Sequence, residues 1–325
     1  MSQKSQNALA DGAQLRRHWH AGVVSRLIIL SSAALSLCGN SVGCSRPPAA
    51  PTSGEVMFGK MRAAIEGVSR GIVLVEDQKP ADDGRSSVKS TFRLVFDDSQ
   101  KVLRCDHERP SRHTKYARTP AESLFQYADG TYEGAIEIGP PDRDLSSSDQ
   151  QPLEPHLLWF AGAGGYRFRQ RYSAIMDAWA QGAREATVSK DSAGNVVLRL
   201  TKQKESHEDI RTLTLDPALG FVPVRNEVAV KSIERTEPKV LDWTDIRYEK
   251  KNGHFVPVSL EIHQNGGRTI KVTCRWESVN EDIDPKVFTV DGFGARKGTP
   301  IFDLTGPQRV QLGFTGPADP QVPRR

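Results

Sequence analysis

Val256, Val258, Leu260 and Ile262 alternate with polar residues, as do Ile270, Val272, Cys274 and Trp276, and Gln264-Asn265-Gly266-Gly267 separates the two runs. This arrangement admits few folds. A period of two puts all the apolar side chains of a run on one face of a strand. The glycines accept positive φ, so the chain can reverse within a tight hairpin. Two adjacent antiparallel strands must then bury the same face.

The pattern recurs along the chain. Phe92, Leu94 and Phe96 alternate before the turn Asp97-Asp98-Ser99, and Lys101 to His107 follows. Val196 to Leu200, Ile210 to Leu215 and Val222 to Val230 repeat it, with turns marked by Asp216-Pro217 and Asn252-Gly253. Short turns between consecutive strands predict antiparallel meanders with one packed and one wet face. Only the opening differs. Glu55 to Gly67 carries Val56, Met57, Met61, Ala64 and Ile65 at helical spacing, which predicts one amphipathic helix stopped at Gly67.

Two regions interrupt the meander. The stretch 139–156 is a polar loop rich in Pro, Ser and Asp. Leu157 to Trp179 then gathers Trp159, Phe168, Met176 and Trp179, with helical leanings broken at Gly162 to Gly165. Helices lying across the sheet are expected there. Residues 305–325 are rich in Gly and Pro and read as a disordered tail.

The chain's beginning reads as an export signal. Arg16, Arg17 and Arg26 precede the apolar run Leu27 to Leu37, and small residues follow. That run is too short for a spanning helix, which needs about 20 apolar residues. Gly43 precedes Cys44, so residues 1–43 are expected to be removed and Cys44 to carry lipid. Cys38, next to bulky Leu37, is the weaker processing site. Cleavage by ordinary signal peptidase would instead leave a secreted protein. Residues 44–54, rich in Pro and Ser, suit a tether. The expected location is a periplasm-facing membrane reached through this anchor.

Removing the leader also removes three of the four net positive charges, carried by Lys4, Arg16, Arg17 and Arg26 against Asp11. The remaining chain is nearly neutral and shows no basic run interleaved with aromatics. A nucleic-acid partner is therefore not expected. Two cysteines remain, Cys105 and Cys274, and an oxidising compartment permits a disulfide between them. Both also lie on apolar strand faces, where they would serve as buried free thiols.

No catalytic constellation emerges. Gly39-Asn40-Ser41-Val42-Gly43 matches G-x-S-x-G, but it lies in the leader without the strand and helix that a nucleophile elbow needs. Cys105, His107 and His113 lack further ligands at zinc spacing, so no metal site is expected. The glycines at 162, 164 and 165 form no dinucleotide fingerprint, and no cofactor is expected.

Tyr248 to Pro257 (YEKKNGHFVP), Asn280 to Phe288 (NEDIDPKVF) and Leu213 to Pro217 (LTLDP) with Gly220-Phe221-Val222-Pro223 resemble strand and turn segments of the bacterial lipoprotein-carrier and lipid-carrier proteins of the LolA/LolB/LppX type. The resemblance covers residues 55–293. It implies an α+β fold, mainly antiparallel β: a strongly curved sheet, or half-barrel, with helices packed on its concave face. It also implies an apolar ligand, such as a lipid or lipoprotein acyl chain, held between them. On the large apolar residues gathered in Leu157 to Trp179 together with the alternation of the strands, its lining would combine Phe92, Leu94, Phe96, Trp159, Phe168, Met176, Trp179 and Trp276, which would otherwise serve as packed core. A ligand-free envelope scaffold is the alternative on the same sheet, and a hydrolase with scattered residues is a third.

Overall fold

The computed structural model describes residues 53–80, 87–109, 112–129, 132–141, 185–232 and 234–316. Helix α1 (Ser53–Glu66) opens them. A first series of strands follows: β1 (Arg70–Pro80), β2 (Ser87–Asp97), β3 (Val102–Arg109), β4 (Arg112–Arg118), β5 (Ser123–Asp129) and β6 (Tyr132–Gly139). The second series is β7 (Glu185–Lys190), β8 (Val196–Gln203), β9 (His207–Asp216), β10 (Val222–Ser232), β11 (Lys239–Lys251), β12 (His254–Gln264) and β13 (Arg268–Val279). Two short strands, β14 (Pro300–Asp303) and β15 (Val310–Phe314), end the described chain.

Each series is a meander of antiparallel neighbours, and the two join where β1 pairs with β13. One open sheet results, in the order β15, β14, β6, β5, β4, β3, β2, β1, β13, β12, β11, β10, β9, β8, β7. Its only parallel pair among the described residues is β14 with β6. The architecture is α+β and mainly antiparallel, open at its edges, with a helix on one face. Among the described residues that helix is α1. The hairpin expected at Gln264 to Gly267 joins β12 to β13, with Gly266 at φ 99° and Gly267 at φ 81°.

Alternation decides what each face holds. Val73 and Val75 of β1, Leu94 and Phe96 of β2, Leu213 of β9, Leu260 of β12 and Val272 of β13 all point to the side of α1, where Met61, Ile65 and Val68 complete the main core. The helix rests on β7, β8 and β10. A Cβ on Gly54 would come within 2.5 Å of the Ala186 Cβ, so the first turn of α1 lies directly on β7.

Among the described residues, the C-terminal segment is what covers the opposite face. Ile283, Val287 and Phe288 pack on Ile72, Val95 and Val102. Phe293 then fills a second cluster with Ala117, Leu124 and Ile136. Arg104 of β3 fastens this strap. Its Nε and Nη2 donate to the two carboxylate oxygens of Asp106 at 2.8 and 2.7 Å, and its Nη1 donates to the carbonyls of Val287, at 2.9 Å, and Gly292. Lys115 Nζ donates to the Phe293 carbonyl at 2.6 Å. Gly292 is required there, because a Cβ would lie 2.1 Å from the Lys286 carbonyl oxygen.

A second fastening holds the helix to the sheet. Asn280, at φ 57°, ends β13. Its Oδ1 accepts from the backbone N–H of Ser69 (2.9 Å) and Arg70 (3.2 Å), while Nδ2 donates to the Gly67 carbonyl (2.8 Å). One side chain thereby satisfies the backbone groups freed between α1 and β1. Asn280→Ala should lower stability by about 2–3 kcal/mol, from the orphaned backbone groups and the left-handed conformation that alanine tolerates less well. Urea unfolding would show this as a lower midpoint at unchanged slope.

Two expectations change. Val310–Phe314 forms strand β15 on β14, inside the stretch read as a disordered tail from Thr305. The Gly and Pro residues around it masked the alternation of Val310, Leu312 and Phe314. Cys105 and Cys274 are both buried free thiols. They point to the same face, but β2 and β1 stand between their strands. Three interstrand steps amount to about 14 Å, twice the reach of a disulfide.

Candidate functional site

The helix-side face of the sheet is the candidate site. Register places its residues in rows. Trp276 lies opposite Val73, Val73 opposite Leu94, Leu94 opposite Cys105, Cys105 opposite Tyr116 and Tyr116 opposite Phe125. The next row runs Cys274, Val75, Phe92, His107, Thr114 and Tyr127. One apolar surface therefore crosses the joint between the two meanders and reaches β5.

Four of the residues expected to line a ligand hollow meet on this surface. Phe92, Leu94 and Phe96 share the face of β2, and Trp276 reaches them across β1. Phe96 and Trp276 pack edge to face with ring centroids 6.3 Å apart. Trp276 Nε1 donates to the Pro257 carbonyl at 2.9 Å, which fixes the indole. Phe92 stacks on His107 at 4.0 Å. Phe96 and Trp276 are 1% and 3% exposed, so the packing of the core holds both. Trp159, Phe168, Met176 and Trp179, and the lipidation candidate Cys44, lie outside the described residues.

The thiol and phenol on this face are shielded. Burial pushes the Cys274 pKa up to about 12, which leaves a protonated, unreactive thiol at neutral pH. Burial, reinforced by Cys274, raises Tyr248 well above its ordinary value, and its hydroxyl donates to the Pro223 carbonyl at 2.7 Å. Among the described residues no group of three His, Cys, Asp or Glu side chains could hold a metal ion.

Sequence reasoning missed two sets of residues here. Tyr116, Phe125 and Tyr127 extend the aromatic surface onto β4 and β5. The alternation of Ser123, Phe125 and Tyr127 was a readable signal for them. Arg211, Asn226 and Thr244 are polar, yet register puts them on the apolar side. Arg211 is opposite Leu200, Asn226 is opposite Leu213, and Thr244 is opposite Asn226 and Ile262. Arg211 Nε donates to Asn226 Oδ1 at 2.9 Å. Burial lowers the guanidinium pKa to about 10, which still leaves it charged at neutral pH.

No protein-family model and no curated protein matches the chain. Several solved structures are similar to it. A LolA superfamily protein from Nitrosomonas europaea aligns over 74% of this chain and 100% of its own, at 10% identity and a TM-score of 0.42. A DUF1329 family protein from Desulfovibrio piger aligns over 74% and 97%, at 7% identity and a TM-score of 0.41. LprF from Mycobacterium bovis aligns over 71% and 96%, at 10% identity and a TM-score of 0.27. At such identities the likeness concerns the fold, and no residue role passes to this chain.

Proposed function

We propose that this is an exported, lipid-anchored envelope protein that holds an apolar ligand, a lipid or a lipoprotein acyl chain, on the helix-side face of its sheet, and that it is not an enzyme. One observation supports the reading: among the described residues, the apolar face extends well past α1. A 14-residue helix is about 21 Å long, and α1 rests on β7, β8 and β10. The apolar rows continue past it through β13, β1 and β2 to the aromatic residues of β4 and β5. Apolar surfaces with few polar groups suit acyl ligands. The signal-like leader and Cys44 support delivery to a membrane, and doubly or triply acylated cysteines anchor stably where one chain does not.

A second reading has its own support. Phe96 and Trp276 are packed as core residues, which favours a scaffold whose hydrophobic face is filled by the chain itself. Mass spectrometry of the protein purified from native membranes separates the two. Acylated Cys44 at the mature N-terminus together with a stoichiometric co-purifying lipid is the expected result. An unmodified N-terminus would remove the anchor, and a protein free of lipid would leave the scaffold.

A further inference from the structure

Two turns of the second meander carry the same Asn-Gly dipeptide in different settings. Asn252-Gly253 joins β11 to β12, and Asn265-Gly266 lies between β12 and β13. All four residues are exposed, and a Cβ on either glycine would meet nothing within 4 Å. Both glycines hold positive φ, 83° at Gly253 and 99° at Gly266. The asparagines differ. Asn252 sits in the left-handed region at φ 48°, and its Nδ2 donates to the Val279 carbonyl at 2.8 Å. The other described asparagines are held as well: Asn195 Nδ2 donates to Asp191, Asn226 Oδ1 accepts from Arg211, and Asn280 Nδ2 donates to the Gly67 carbonyl. Asn265 is bound only through its backbone. Its N–H donates to Asp242 Oδ1 at 2.7 Å, and among the described residues its amide group makes no hydrogen bond. The bond that closes this loop is donated by Gly267, to the Gln264 carbonyl at 3.1 Å, and not by Gly266. Asparagine before glycine is the pair in which side chain and backbone react most readily, because no Cβ shields the glycine nitrogen. The amide carbon must swing onto that nitrogen, which a pinned amide cannot do.

We infer that Asn265 is a site of spontaneous deamidation in the folded protein, and that the fold protects Asn252 from the same reaction. The Gly266 nitrogen gives up its proton and bonds to Asn265 Cγ, the Cγ–Nδ2 bond breaks, and ammonia leaves with that proton. A five-membered cyclic imide remains. Water then opens it at either carbonyl. Cleavage of the Cγ–N bond gives aspartate, and cleavage at the main-chain carbonyl gives isoaspartate, whose backbone runs through the side chain. One water is taken up and one ammonia released, with no oxidant and no enzyme. Either product sets a new carboxylate at the tip of the hairpin, beside the Asp242 carboxylate that accepts from the Asn265 N–H. Isoaspartate also lengthens the loop that the Gly267 N–H closes. The turn is loosened in both cases.

Peptide mapping by mass spectrometry tests this on the full chain, incubated at mildly alkaline pH both folded and in urea. In the folded protein Asn265 should convert about tenfold or more faster than Asn252, which must first break its hydrogen bond to Val279 and leave its left-handed conformation. The rate at Asn265 should rise with pH, because the attacking nitrogen has to lose a proton. In urea the two sites should convert at similar rates, since the fold alone distinguishes them. Asn265→Asp, which supplies the new charge without the reaction, should lower the thermal unfolding midpoint by about 1–3 °C. Equal conversion of the two sites in the folded protein, or faster conversion at Asn252, would overturn the assignment. A preference for Asn265 that persists undiminished in urea would trace it to neighbouring sequence and overturn the protection of Asn252 by the fold. An unchanged midpoint in Asn265→Asp would overturn the loosening of the turn by charge.

Discussion

Arg104→Ala should cost about 3 kcal/mol of stability and detach the strap from the outer face of the sheet. The guanidinium is nearly buried, with 8% of its side chain exposed, and it binds Asp106 in a two-pronged pair while also meeting two strap carbonyls. Its removal leaves those carbonyls and a partly buried carboxylate without their donor. Breaking such a buried pair by deleting one partner costs about 3–5 kcal/mol. The lower end applies because Asp106 retains 22% exposure to water. The Arg104 guanidinium also lies 5.2 Å from the centre of the Phe293 ring, so the aromatic anchor loosens with it. Urea unfolding gives the total loss, and hydrogen exchange locates it. Amides of Val287, Thr289 and Phe293 should exchange faster while those of β12 and β13 stay protected. Unchanged protection at Phe293 would show that the strap is held by apolar contact alone.

Trp276→Ala is expected to be the most damaging change on the helix-side face, at about 3–5 kcal/mol. The indole fills the space between β1 and β12 and touches Phe96, and the cavity left behind is walled by strands that cannot collapse. Trp276→Phe should cost only about 1 kcal/mol, because it keeps most of the apolar bulk and loses the hydrogen bond to Pro257. Thermal unfolding of both variants reads the difference. A stable Trp276→Ala protein would mean that the indole lines a space rather than fills the core.

Local order in this chain was legible because it is written in short range. The run from Val256 to Trp276 predicted β12, β13 and their turn, and Gly67 predicted the end of α1. The face of Cys105 and the core role of Leu260, Ile270 and Val272 followed from the same period. What was not legible depends on register between distant strands. Cys105 and Cys274 each looked able to bridge, and only the order β3, β2, β1, β13 separates them. Arg104 sits in a run, Val102 to Cys105, in which every side chain is buried. Alternation alone marks it as a wet-face residue, and nothing local announces that the chain returns from Ile283 to Phe293 to cover that face. Arg211, Asn226 and Thr244 had the right parity for the core side, but a search for apolar residues passes over them.

The pairing of β1 with β13 brings Gly71 against Val279, more than two hundred residues along the chain. The cover over β2 to β6 comes from even later residues. The first meander therefore has neither its neighbouring strand nor its outer cover until nearly the whole polypeptide has been synthesised. Contacts of such long sequence separation form slowly. A chain arranged this way leaves its first meander open while it is being made, and that half of the sheet is completed only after residues 268–293 have been added.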